Sequence, residues 1–210
     1  MERGSGSNLE TVEAGWQVFP NRNGDAQPHF FIYYTPDNYS TGCYDLTCPA
    51  FIQTNPGITI GMTLASSISG GLQQEGTIAY WRDPATGHWW LAVQGNITVG
   101  YYPTTLFDSN GIKNLANRIT YGGEIVDRET GGKHTGTDMG SGNFPEAGYA
   151  LAAYQRSIQY MDTAGTIIDV NPGTIIVTDA QCYNIVHNFN PAWRRHFYFG
   201  GRGYNNPACE

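Results

Sequence analysis

Two segments of the chain alternate apolar and polar positions with a period of two, and each carries one glutamate on its polar face beside a glycine. Read as a strand, residues 12–18 send Val12, Ala14, Trp16 and Val18 to one face and Glu13, Gly15 and Gln17 to the other. Residues 118–126 read the same way, with Ile119, Tyr121, Gly123 and Ile125 on one face and Thr120, Gly122 and Glu124 opposite. A carboxylate whose same-face neighbour has no side chain gains open space that a substrate can fill.

Other runs predict further strands. Residues 29–34 are aromatic and β-prone, and Pro36-Asp37-Asn38 ends them. Residues 50–53 and 58–64 flank the turn Thr54-Asn55-Pro56-Gly57. The clearest hairpin joins residues 77–82 and 88–93 through Asp83-Pro84-Ala85-Thr86-Gly87, and residues 97–102 follow up to Pro103. One short helix is expected over residues 109–117, with Ile112, Leu115 and Ala116 on a face. Tyr154, Arg156, Ile158 and Tyr160 alternate with Gln155, Ser157 and Gln159, which predicts another strand; residues 174–177 and 195–199 complete the set. Many short strands with scarcely any helix predict an all-β protein, an antiparallel β-sandwich with at most one short helix.

Composition agrees with that class. Only 14% of the residues are charged, while there are 27 glycines, 14 tyrosines and 5 tryptophans, a balance suited to strands joined by tight turns. The length of 210 residues allows one domain, expected over residues 9–210, behind a flexible leader at residues 1–8 that lacks the apolar segment of a signal peptide. A net charge of −7 and the lack of any basic run exclude nucleic acid and an anionic membrane surface as expected partners. Four cysteines, Cys43, Cys48, Cys182 and Cys209, show no CxxC spacing, so disulfides are expected rather than zinc, with three connectivities open. Sequons at Asn38-Tyr39-Ser40 and Asn96-Ile97-Thr98 agree with an oxidising, secretory route.

For chemistry, two carboxylates facing one cleft share a proton, so that one serves as base and the other as acid in peptide or glycosidic hydrolysis. The bland alternative makes Glu13 and Glu124 ordinary solvated strand residues. His29, His88, His134, His187 and His196 have no metal-ligand spacing, and no GxSxG elbow is present. The stretch from Gly131 to Gly142 lacks Walker spacing and reads as a demanding loop, part of a glycine-rich run from Thr130 to Gly142. Adjacent Trp89 and Trp90 point to opposite faces, so at least one belongs to the core.

Several motifs carry a family resemblance. Glu-Ala-Gly-Trp-Gln-Val at 13–18, Gly42-Cys-Tyr-Asp-Leu-Thr-Cys48, Trp81-Arg-Asp-Pro and His88-Trp-Trp resemble the neprosin catalytic domain of plant proteins. Gly122-Gly-Glu-Ile-Val126, His134-Thr-Gly-Thr-Asp-Met-Gly-Ser-Gly-Asn-Phe144 and a late Gly-Gly-x-Gly with Cys209 continue the match over about residues 9 to 209. The resemblance implies a β-sandwich glutamic endopeptidase that cleaves proline-containing peptides or proteins after proline in acidic secreted fluids, using no metal or cofactor. It implies Glu13 and Glu124 as the catalytic pair, and disulfides Cys43–Cys48 and Cys182–Cys209. Gln17 on the Glu13 face is a candidate oxyanion donor, with Gly15 and Gly122 as substrate-facing neighbours. Relatives of this kind carry further strands before the first glutamate, which this chain is expected to lack. The alternatives are a non-catalytic cell-wall or glycan-binding β-sandwich and a two-glutamate glycoside hydrolase.

Overall fold

Strand alternation becomes sheet wherever a segment finds hydrogen-bonding partners along its edges, and the described residues do this in four sheets. The computed structural model describes residues 1–126, 136–171, 173–205 and 208–209. Residues 1–66 and 74–120 form one compact unit, and residues 67–73 and 121–210 a second.

In the first unit β1 (Glu2–Arg3), β2 (Glu10–Gln17), β3 (His29–Thr35) and β4 (Cys43–Tyr44) form an antiparallel sheet in that order. The four-residue helix α1 (Pro20–Asn23) starts on proline and stops at Gly24, whose φ of 81° is the left-handed value that glycine reaches without strain. A second sheet holds β5 (Ile52–Gln53), β6 (Ile78–Arg82), β7 (Trp89–Val93) and β8 (Ile97–Tyr102) in the order β5-β8-β7-β6. Val12, Phe30 and Ile32 of the first sheet share one buried cluster with Trp89, Leu91, Val99 and Tyr102 of the second. Burying each of these side chains stabilises by about 1.5–3 kcal/mol, so the cluster fixes the inner face of β2. Glu13, next to fully buried Val12, must point the other way.

In the second unit β9 (Ala153–Arg156) and β12 (Asn184–Asn190) flank β13 (Arg194–Gly200), while β10 (Gln159–Met161) and β11 (Ile167–Asp169) form a hairpin. Every strand pairing in both units is antiparallel. The described chain is all-β with one short α-helix. Its disulfides are Cys43–Cys48 and Cys182–Cys209. Among the described residues, no helix is long and apolar enough to cross a membrane.

The elements differ from expectation at identifiable places. Residues 1–8, expected to be a flexible leader, carry β1 and a 3-10 turn, because the Met1 amino group donates to the Val12 carbonyl (2.9 Å) and Glu2 and Arg3 pair with Thr11 and Glu10. No helix forms over 109–117. That segment instead wraps the carboxylate of buried Glu10, whose Oε1 and Oε2 accept from the Asp108 and Ile112 amides at 2.6 and 2.8 Å. Residues 118–126 make one isolated bridge, Glu2 to Arg118, and no strand. The strand expected over 154–160 breaks at Ser157, whose φ is 55°, and becomes β9 and β10. Residues 58–64 and 174–177 also fall outside strands. Residues 130–135 of the glycine-rich loop, His134 among them, lie outside the described residues.

Candidate active site

Glu13 belongs to the first unit and Glu124 to the second. On β2, Glu13 sits opposite Tyr33 of β3 and is half-buried. Its Oε1 accepts two hydrogen bonds, from Thr11 Oγ1 at 2.6 Å and from Tyr39 Oη at 2.8 Å. Among the described residues none donates to Oε2. Below the side chain, Tyr80 of β6 donates its hydroxyl to the Glu13 carbonyl at 3.1 Å. Burial first, and the Glu13 charge second, push the Tyr80 hydroxyl well above its ordinary range, so it stays a donor.

Tyr39 reaches Glu13 because a turn of specific chemistry delivers it. Asn38 and Tyr39 both hold left-handed backbone, with φ of 55° and 64°. Buried Thr35 donates its hydroxyl to the Thr41 carbonyl at 2.7 Å and accepts from the Tyr39 amide at 2.9 Å. The Asp37 carboxylate accepts from the Thr41 amide and hydroxyl, each at 2.7 Å. Those bonds hold the Asp37 carboxyl below its ordinary value, with burial opposing them.

An aromatic wall stands beside the glutamate. Tyr33 stacks on Tyr39 with centroids 5.9 Å apart and meets Tyr44 at 4.5 Å, and Phe31 meets Tyr44 edge-on at 6.0 Å. The Arg22 guanidinium lies 4.5 Å over the Tyr44 ring and pairs with Asp45 at 2.6 Å. Burial, and then the charge of Glu13, push the Tyr33 hydroxyl upward. The expected open space at Gly15 is taken: a methyl there would lie 3.2 Å from the Phe31 ring. Gln17, two residues along, sits opposite His29, and its carboxamide makes no hydrogen bond with a described residue.

Glu124 is exposed and is placed by its neighbours rather than by a ladder. Gly123 lies so close on the Phe199 ring and Met139 that a methyl would overlap both. Ile125 packs on the cluster around the Cys182–Cys209 disulfide. Gln155 Nε2 of β9 donates to the Gly122 carbonyl at 3.0 Å, and Tyr121 Oη donates to the Gln159 carbonyl at 2.6 Å. Gly123 and Ile125 are thus held on both sides of Glu124, which is itself exposed. Nothing stands within 4 Å of a methyl added at Gly122, so the space expected there is present.

Asn38 and Asn96 are both exposed, the latter in the turn between β7 and β8. Trp89 is the core member of its pair, donating Nε1–H to the Ile112 carbonyl at 2.9 Å, while Trp90 stacks with Trp81 on the opposite face. No group of three His, Cys, Asp or Glu able to hold a metal occurs among the described residues. Thr11 and Tyr39 are the site residues that sequence reasoning missed. Thr11 was visible as the next residue up on the Glu13 face, but nothing local signals Tyr39, whose contact depends on a turn between strands. The order of motifs along the chain agrees with one family comparison: the Neprosin family model matches residues 1–202 of the 210, and the chain therefore belongs to the Neprosin family.

Proposed function

We propose that this chain is a secreted acid endopeptidase that hydrolyses the bond after proline with Glu13 and Glu124 and an activated water. Family membership supports a peptidase-type hydrolase. The observation that carries the finer reading is Glu13 itself, a carboxylate outside the core with Oε1 fixed by two hydroxyls and Oε2 accepting from no described residue. In the proposed reaction the ionised glutamate takes a proton from water as the water oxygen bonds to the carbonyl carbon, and the carbonyl electrons move onto oxygen. The protonated partner polarises that oxygen, and the tetrahedral species collapses as the acid protonates the departing nitrogen. Gln17 is the candidate donor to the developing oxyanion.

The rings of Phe31, Tyr33, Tyr39 and Tyr44 support a proline-directed site, since aromatic faces suit a pyrrolidine ring. The two disulfides and the exposed sequon residues Asn38 and Asn96 fit passage through an oxidising secretory route. The test is incubation with a proline-containing peptide in mildly acidic buffer. The expected outcome is a new carboxyl terminus on proline, unaffected by chelators and thiol reagents. Release of sugar from cell-wall glycans without peptide cleavage would replace the peptidase reading with a glycosidase.

A further inference from the structure

We infer that Tyr39, with Thr11, is the positioning residue that makes Glu13 the base of the pair; this rests on the peptidase reading above. A carboxylate at the end of a flexible side chain rotates, and both of its oxygens then compete for water. Here Oε1 is committed twice, to Thr11 Oγ1 at 2.6 Å and Tyr39 Oη at 2.8 Å. Both partners are hydroxyls donating to a carboxylate oxygen, the stronger class of hydrogen bond. The carboxylate plane is thereby fixed and Oε2 is left as the oxygen that takes a proton from water.

The donors are themselves held. Thr11 is 2% exposed and lies on β2 between β1 and β3, so its hydroxyl has no freedom to leave. Tyr39 is 56% exposed, so burial alone does not hold it in that place. It is kept there by its stack on Tyr33 and by the Thr35–Asp37–Thr41 turn that holds Asn38 and Tyr39 in left-handed backbone. A left-handed backbone is uncommon for a tyrosine, and here it carries the hydroxyl to Glu13 Oε1 at 2.8 Å.

The experiment compares steady-state cleavage of one proline-containing peptide by the chain and by Tyr39→Phe, Thr11→Val, Thr11→Ser and Glu13→Gln. Tyr39→Phe keeps the ring stack and removes only the hydroxyl; it is expected to lower kcat about tenfold with KM nearly unchanged, because positioning is lost and binding is kept. Thr11→Val should behave alike, and Thr11→Ser, which restores the hydroxyl, should recover kcat. If Thr11→Val does not fold, exposed Tyr39→Phe remains decisive. An unchanged kcat in Tyr39→Phe, or a loss confined to KM, overturns the inference while leaving Glu13 catalytic if Glu13→Gln is dead. Full cleavage by Glu13→Gln, or none by the unaltered chain, overturns the catalytic reading and this inference with it.

Discussion

Glycine at position 123 is required by contact and not by backbone freedom. A methyl there would overlap the Phe199 ring and Met139, whereas at Gly122 it would meet nothing within 4 Å. Gly123→Ala is therefore expected to cost about 1–3 kcal/mol of stability and to displace Glu124. Gly122→Ala should stay within about 0.5 kcal/mol. Urea unfolding of the two variants, paired with peptide cleavage, checks the contrast; equal stabilities would contradict the placement of Glu124. A second residue sets a pH dependence. His29 Nδ1 meets the Gly61 carbonyl at 2.8 Å and Nε2 meets Asp25 at 3.0 Å, and these bonds raise its pKa above the ordinary 6.5. Because the folded value is the higher one, the contribution is complete below 6.5 and is lost as pH rises through the raised value. Asp25, Asp37, Asp83 and Asp169 have lowered values instead, chiefly through hydrogen bonds, so their contributions are present above 3.8 and are lost as pH falls through the lowered values. The two senses together predict greatest stability in mild acid. The His29 contribution to the urea midpoint should fall as pH rises above 6.5, and that fall should vanish in His29→Asn.

At the scale of elements, what was legible is what local chemistry decides. The hairpin of β6 and β7 was readable because Asp83 closes its own turn, accepting from the Ala85 and Thr86 amides at 3.2 and 3.1 Å. Strand β2 was readable because its inner residues meet a core on one side only. Residues 109–117 misled because their apolar spacing suits a helix, yet the amides of Asp108 and Ile112 are spent on a carboxylate far back in sequence, that of Glu10. Removing that acceptor leaves two amides unsatisfied in place of helical bonds. Glu10→Ala is expected to cost about 2–4 kcal/mol, and Gly111→Ala, whose methyl would overlap the Glu10 carboxylate, a similar amount. Thermal or urea unfolding checks both, and a neutral Gly111→Ala would contradict this loop. Strand β12 was missed because it is an edge strand with Asn184, Asn188 and Asn190 along it, and edge strands tolerate such polarity. The Glu124 segment was misread for a different reason: periodicity cannot report that Phe199 and the Cys182–Cys209 cluster, late in the chain, hold Gly123 and Ile125.

Over the whole molecule, long-range constraints matter more than any one strand. The Cys182–Cys209 bond closes a loop of sequence separation 27 and lies beside Ile125, whereas Cys43–Cys48 closes one of 5. Chain entropy makes the longer loop the more stabilising, with a contribution of its own of about 3.5 kcal/mol. Cys182→Ser is thus expected to lower stability by that amount and to loosen the Glu124 segment. The central claim is that Glu13 and Glu124 act in one reaction. The most direct measurement maps, by mass spectrometry, the products of a single-proline peptide in mildly acidic buffer with the chain, Glu13→Gln and Glu124→Gln. Cleavage after proline by the unaltered chain, lost in each variant while each stays folded, is the predicted result. Undiminished cleavage by either folded variant would contradict it.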